Sequence, residues 1–327
     1  MLQRQRGIVL RSVRAGEADR ILTLLMEDDR AVALRYHGIR ASQKRSQLAV
    51  QPGNLVEVVY YEKTDAPVLS IKELSLLQEF QIPPTYENLQ KQAAILALIQ
   101  ASAHGDAPGL FTLCTGALET LLHQVNHTQP NQTSHHPGDA PQPSSPPRMG
   151  AVLEAGNDSH SSEMPSAFLD LLGFLIVRIY RMQGLLASPE RCSRCESALW
   201  KEDSWPPEDM QPSSWILPNL EFLCSGCSLL QNQRAQMTDT AHAFWIYLAS
   251  RQRFHRFQES LTVLKGLKML RPSGAENISR EKPAGPWNAA PGSSDSLEFL
   301  QPNTSALLVR CIQDFLGNLK ELRTYSD

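Results

Sequence analysis

Four of the six cysteines stand in two short pairs, Cys192-Ser193-Arg194-Cys195 and Cys224-Ser225-Gly226-Cys227, with 28 residues between them. Two cysteines three apart on a tight turn aim both sulfurs at one point. Two such knuckles present four thiolates in a tetrahedron, the closed geometry of structural zinc. No other feature constrains the fold as strongly, because it ties two remote segments to one ion. The spacer exceeds the roughly 15–20 residues usual for such sites. It contains Trp205-Pro206-Pro207 and Pro212, so the excess reads as a looped-out segment. Four thiolates leave no open coordination position, which assigns Zn2+ on Cys192, Cys195, Cys224 and Cys227 a structural role and not a catalytic one. Two disulfides, a thioredoxin-like redox pair and cysteines without a shared partner are the competing readings. The redox reading needs a C-x-x-C that opens a helix after a strand, and the flanks do not announce one. Cys114 and Cys311 sit in apolar helical patterns and read as core residues.

The start, MLQRQRGIVLRSVRAGEADR, carries charge but no long apolar run and no small-residue cleavage site. No stretch approaches about 18 uninterrupted apolar residues. The expectation is a soluble intracellular protein with no membrane span, where clustered cysteines point to metal more than to disulfides. With 327 residues, 42% apolar and 20% charged, the chain is long enough for about two domains with hydrophobic cores.

Residues 7–80 read as β-rich. Gly7–Val13, Ile21–Leu25, Ala31–Tyr36, Leu55–Tyr61 and Val68–Leu74 are short runs rich in branched and aromatic residues. Turn signals divide them: Ala15-Gly16-Glu17, Asp28-Asp29-Arg30, Gln51-Pro52-Gly53-Asn54 and Thr64-Asp65-Ala66-Pro67. Five strands without a helical crossover suggest a small closed barrel, of OB or SH3-like type. Pro83-Pro84 ends this unit, and the apolar period then becomes helical. Tyr86–His104, Leu110–Val125, Ser166–Gln183, Thr238–Leu270 (one helix or two) and Ala306–Leu322 are the expected helices. The third is apolar nearly all round and belongs at the centre of a bundle. Residues 128–165 contain seven prolines and no aromatic residue, the composition of a disordered insertion. His135-His136 within it read as polar loop residues. Residues 271–296 read as a Pro/Gly/Ser-rich loop.

Net charge is −3, but residues 1–50 hold ten Lys/Arg against five Asp/Glu. The positive excess centres on Arg35-Tyr36-His37-Gly38-Ile39-Arg40-Ala41-Ser42-Gln43-Lys44-Arg45-Ser46. A cationic loop on a small barrel is the footprint of phosphate contact. Arg11, Arg14 and Arg20 extend it, and Tyr36 and His37 are candidates for stacking on bases. The competing reading is a solvated charged loop. No G-x-x-x-x-G-K-[ST], G-x-S-x-G, H-E-x-x-H or Rossmann glycine run occurs. Asp28-Asp29 reads as turn chemistry, so the chain is read as a non-enzyme.

The order Gly7-Ile8-Val9-Leu10, Gly16-Glu17-Ala18-Asp19-Arg20-Ile21-Leu22-Thr23-Leu24-Leu25, Gly38-Ile39-Arg40 with Lys44-Arg45-Ser46, then Gln51-Pro52 resembles the RecO family of bacterial recombination and repair mediators. The E-x-D-R-hydrophobic-T-L-L segment is its most specific part. Leu172-Gly173-Phe174-Leu175 before Cys192, and Phe222-Leu223-Cys224, also resemble that family. Three departures stand out: the family often has Gly near the Asp29 position, Lys44-Arg45-Ser46 replaces K-S-R, and Arg178–Gln183 is more charged than expected before the first cysteine pair. Asp tolerates left-handed turns, so the hairpin can survive.

The resemblance implies an α+β protein. A five-stranded OB-type DNA-binding barrel (1–80) precedes an α-helical domain (84–327) carrying the zinc segment (192–227). It implies a cytoplasmic, nucleoid-associated bacterial mediator of DNA repair and homologous recombination. Such a protein binds single- and double-stranded DNA and anneals complementary strands without ATP. Its partners are RecR and single-stranded-DNA-binding protein, and RecA is loaded as the outcome. The expected DNA contacts are Arg11, Arg14, Arg20, Arg35, Tyr36, Arg40, Lys44 and Arg45. Arg178, Arg181, Arg251, Arg253 and Arg256 are candidates for docking the acidic, hydrophobic tail of single-stranded-DNA-binding protein, against the reading of a solvated helix face. The alternative function is a zinc-containing interaction scaffold without DNA binding.

Overall fold

A computed structural model describes residues 1–42, 46–62, 68–103, 108–128, 166–200, 213–216, 221–229 and 240–267, with Thr304, Ser305, Leu308, Val309 and Ile312. Lys44, Arg45, Cys311, the 271–296 segment and the insertion beyond Thr128 lie outside the described residues.

Five strands close a barrel in the order β1-β2-β3-β5-β4. They are β1 (Leu2–Ala15), β2 (Asp19–Met26), β3 (Ala31–Tyr36), β4 (Leu55–Tyr61) and β5 (Leu69–Gln78). β1 is long enough to serve two neighbours. Leu2–Ile8 pairs with β4 and Gly7–Ala15 pairs with β2, with a bulge between Val9 and Arg11 where the strand turns the corner. The sequence pattern begins this strand at Gly7, because Gln3-Arg4-Gln5-Arg6 has no apolar run. Antiparallel pairing with β4 recruits it. β3 meets β5 in parallel through Leu34↔Leu69 and Arg35↔Ser70, which closes the wall. This is the OB-type Greek-key barrel that the sequence resemblance implies.

Period-two alternation fills the barrel with Val9, Leu22, Leu24, Leu34, Val56, Val58 and Tyr60. Ala49 and Val50, on a 3-10 turn at Leu48–Val50, join the same interior. The opposite phase of the same strands supplies Ile8 and Leu25, which join a second core shared with the helices. Each such buried aliphatic side chain stabilises the junction by about 1.5–3 kcal/mol.

The helices are α1 (Tyr86–Ser102), α2 (Leu110–Thr128), α3 (Ser166–Met182), α4 (Ser225–Leu229), α5 (Thr240–Arg251) and α6 (Phe254–Leu267). Thr85 caps α1, its Oγ1 accepting from Asn88 N at 3.3 Å. α3 occupies the centre, with Phe168, Leu171, Leu172, Leu175, Ile176, Val177 and Ile179 all buried. Gly173 lets α3 approach its neighbours closely. A methyl there would lie 2.8 Å from the Trp245 ring and 2.9 Å from Ser305 Oγ. The apolar period over 238–270 divides into two helices at Gln252-Arg253. The cysteine spacer, read as loop, contains a strand. β6 (Ser213–Ile216) pairs with β7 (Glu221–Cys224) as a hairpin, with Trp215 opposite Phe222. Among the described residues no helix is long and apolar enough to cross a membrane.

Candidate metal centre and cationic faces

The first knuckle is built by its backbone. Cys192 N donates to Ser197 O at 2.9 Å and Glu196 N to Cys192 O at 2.9 Å. Glu196 takes φ +59°, so the chain turns back within one residue. The knuckle is hooked to the second pair through Ser193 N to Phe222 O at 2.7 Å and Phe222 N to Ser193 Oγ at 3.3 Å. Cys224 ends β7, and Ser225-Gly226-Cys227 forms the first turn of α4. The strand-to-helix step absent from the sequence reading is therefore present. It serves a four-thiol cluster and not an isolated redox pair, because the ligand atoms of Cys192, Cys195, Cys224 and Cys227 all lie within 4.8 Å of one another.

Zn–S bonds of about 2.3 Å at tetrahedral angles separate sulfurs by about 3.8 Å. Cys195 and Cys224 Sγ are 3.7 Å apart. The all-thiol donor set and this spacing fit a tetrahedral metal ion. Between the thiols themselves the protons are shared unevenly. The Ser197 hydroxyl and backbone hold Cys195 down at about 6, whereas the bond that Cys227 donates to Cys195 pushes Cys227 up to about 12. Metal ligation strips the protons from all four. Leu199, Trp200, Phe222 and Leu223 anchor the segment in the helical core. Trp200 meets Phe244 and Tyr247 edge-on, with centroids 5.5 Å apart in each case. Cys114 is fully buried, and burial pushes its thiol up to about 12.

On the barrel, register separates the candidate DNA residues. Ser12, Leu22 and Leu34 share one row and face inward, so Val13, Ile21 and Arg35 in the next row face outward. Arg11 stands opposite Thr23 on the same outer wall and is exposed. Arg14, Arg20 and Tyr36 form the row at the barrel mouth. Arg14 is exposed there. Tyr36, expected to stack on bases, is only 5% exposed and belongs to the barrel core. Its place on β3 gives it the inward phase, so it offers no open ring face. Arg20 is half-buried and donates to Ser12 Oγ at 3.0 Å, while its Nε is buried without a hydrogen-bond partner. His37 is exposed and hydrogen-bonded to Asp19.

Asp19 organises this end of the barrel, a role that the sequence reading did not assign. Its Oδ1 accepts from Gly38 N at 2.8 Å, and its Oδ2 accepts from Arg35 Nε at 2.9 Å and lies 3.0 Å from His37 Nδ1. The Gly38 N–H, with Arg35 and His37, holds the Asp19 carboxyl below the usual range despite some burial. Gly38 takes φ +66°, a conformation that glycine adopts without steric cost. The turn drives Ile39 into the barrel, fully buried. Arg40 then bonds back to the β1–β2 turn, N to Ala18 O at 2.9 Å and Nη1 to Gly16 O at 3.2 Å. The cationic loop therefore starts from a fixed base.

The helical arginines divide differently. Arg178 and Arg181 both donate to Ser250 O at the end of α5, Arg178 at 2.6 Å. They satisfy a carbonyl that the helix terminus leaves open. Burial, then the nearby Arg181, lowers the Arg178 pKa. Arg251 pairs with Glu190 at 3.1 Å. With Arg253 these three line a groove of about 1350 Å³ between α2, α3 and α6, whose apolar wall includes Leu113, Phe174 and Phe254. Arg256 is exposed but does not line it.

Residues 1–80 match the family described as Recombination protein O N terminal. The chain is 28% identical over 127 residues to the DNA repair protein RecO of Leptospira biflexa, covering 36% of this chain and 49% of the relative. It is 29% identical over 131 residues to that of Bifidobacterium longum, covering 39% and 55%. To that of Rubrobacter xylanophilus it is 32% identical over 122 residues, covering 37% and 48%. The chain thus spans about half the length of the curated relatives it matches.

Proposed function

We propose, from the match of residues 1–80 to the family described as Recombination protein O N terminal, that the chain is a DNA repair and homologous recombination mediator. It binds single- and double-stranded DNA, anneals complementary strands without ATP, and helps load RecA onto DNA coated by single-stranded-DNA-binding protein, with RecR as a further partner. The observation that carries this reading is the set of exposed arginines on an OB-type barrel: Arg11 and Arg35 on its outer wall, Arg14 at its mouth and Arg40 just after β3. Strands 2 and 3 of that fold are its usual oligonucleotide face. Cations there neutralise phosphates on two strands and lower their repulsion, and base pairing supplies the drive. Lys44 and Arg45 follow Arg40 in the sequence and add to its positive charge. No step needs a nucleophile or a general base, and in this reading the protein is a non-enzyme that works in the bacterial cytoplasm, at the nucleoid.

Zn2+ on the four cysteines has a structural task in this reading. It fixes the knuckles against α5 and so shapes the helical domain. The groove suits an acidic, apolar peptide tail, as single-stranded-DNA-binding protein would present. Its arginines face the acid and its apolar wall takes the hydrophobic end.

The test is fluorescence anisotropy of a labelled single strand titrated with full-length protein across a salt series. The logarithm of the binding constant should fall linearly with log salt, at a slope of about 0.7 per phosphate engaged. Absence of binding at low salt would leave the interaction-scaffold reading in its place.

A further inference from the structure

α2 begins without a capping side chain of its own. The residues before it are Pro108 and Gly109, and Leu113 N bonds back to Gly109 O at 2.9 Å, so Gly109 occupies the cap position. Ser, Thr, Asp or Asn is preferred there, because a side-chain oxygen must accept from the first free N–H groups. Here the barrel supplies it. Asp29, on the β2–β3 turn, accepts from Gly109 N through Oδ2 at 2.7 Å and from Phe111 N through Oδ1 at 2.7 Å. Asp29 takes φ +68° to do so. Asp28 beside it is engaged elsewhere, with Arg30 at 2.8 Å and Gln5 at 3.1 Å, and does not touch α2. Pro108 and Gly109 line the arginine-lined groove, and Met182 beside them lines it too. Gly109 itself takes φ +93°, and a methyl there would lie 3.7 Å from Met182 Cε.

We propose that Asp29 is a positioning residue for the groove: a barrel carboxylate that orders the Pro108–Gly109 segment and so sets the affinity of an acidic peptide for the helical domain. The inference rests on the reading of the groove as a peptide site. It also makes that site dependent on the barrel.

The test uses full-length protein and three variants. Asp29→Gly suits the positive φ but removes the cap. Asp29→Asn keeps one acceptor. Asp28→Asn changes the same turn without touching α2. Amide hydrogen exchange is read at Gly109 and Phe111, and anisotropy reads both a short Asp-rich peptide ending in Phe and a single-stranded oligonucleotide. In Asp29→Gly, exchange at the two amides should rise roughly five- to tenfold with the rest of α2 unchanged. Peptide affinity should fall about threefold or more, and oligonucleotide affinity should stay the same. Asp29→Asn should fall between, and Asp28→Asn should match the unsubstituted protein at both amides. Unchanged exchange in Asp29→Gly overturns the proposal, as does raised exchange with unchanged peptide affinity. If the unsubstituted protein binds no peptide, the groove reading and this positioning role both fail, while raised exchange in Asp29→Gly would still establish the cap as structural.

Discussion

Asp19, the first residue of β2, holds Gly38, the left-handed residue after β3, through an Oδ1···N contact of 2.8 Å. The same carboxylate takes Arg35 and His37 on its other oxygen. One acid therefore sets the exit angle of the cationic loop and draws on the charge of one of the arginines beside it.

Asp19→Ala separates position from charge. It raises the net charge of the barrel by one, so electrostatics alone would tighten DNA binding. It also frees Gly38 N and releases the loop base. The expected outcome is weaker single-strand binding by anisotropy, together with a lower melting temperature. Tighter binding with unchanged melting would show that the loop needs no fixed base.

Stability should depend on acid in a defined window. Asp19 is held below the usual carboxylate range by Gly38 N–H, Arg35 and His37. At Asp28 burial acts upward, but the bonds from Arg30 and Gln5 outweigh it. A carboxylate depressed in the folded state contributes fully above its unfolded pKa of about 3.9, and the contribution is lost as pH falls through the folded value. Melting followed by circular dichroism should therefore show these two contributions constant between about pH 5 and 7 and declining below about pH 4. Asp19→Asn with Asp28→Asn should flatten that acid limb.

The four-thiol centre predicts one zinc per chain by elemental analysis, lost together with melting temperature when a strong chelator is added. Cys224→Ser should reproduce both losses. Cys114→Ser should keep the metal. In the folded protein Cys114 should resist thiol reagents, because burial pushes its thiol up to about 12 and the thiolate is the reactive form.

Gly173→Ala tests the close contact of α3 with its neighbours. The added methyl would lie 2.8 Å from Trp245 and 2.9 Å from Ser305. Overpacking of this kind costs about 1–3 kcal/mol, despite the gain in helix propensity, and denaturant unfolding would register it. Gly116→Ala on α2, where a methyl meets nothing within 4 Å, should be neutral or stabilising.

The barrel was legible because its strands carry branched residues between clear turn signals, and the cysteine pairs because spacing alone implies convergence. What escaped depends on register and on remote contacts. Tyr36 looks like a stacking platform in a list of residues, but its phase on β3 turns it inward. The Leu2–Arg6 strand has no apolar run of its own and exists because β4 pairs with it. The Ser213–Ile216 strand is short and hidden among prolines. Asp29 read as turn chemistry, which it is, but its cap on α2 lies 80 residues away. The one local signal was a helix starting after Pro108-Gly109 with no capping residue of its own. Arg178 and Arg181 read as free cations, yet a single carbonyl, that of Ser250, receives both.

In the proposed function an OB-type barrel presents cations that bring two strands together. Two complementary fluorescent single strands mixed with full-length protein, without ATP, at low and high salt, test it most directly. Annealing should be faster than the spontaneous rate at low salt, suppressed by high salt and lost when Arg40, Lys44 and Arg45 are changed to Ala. Annealing at the spontaneous rate under both salts, with zinc bound and the protein folded, would contradict it.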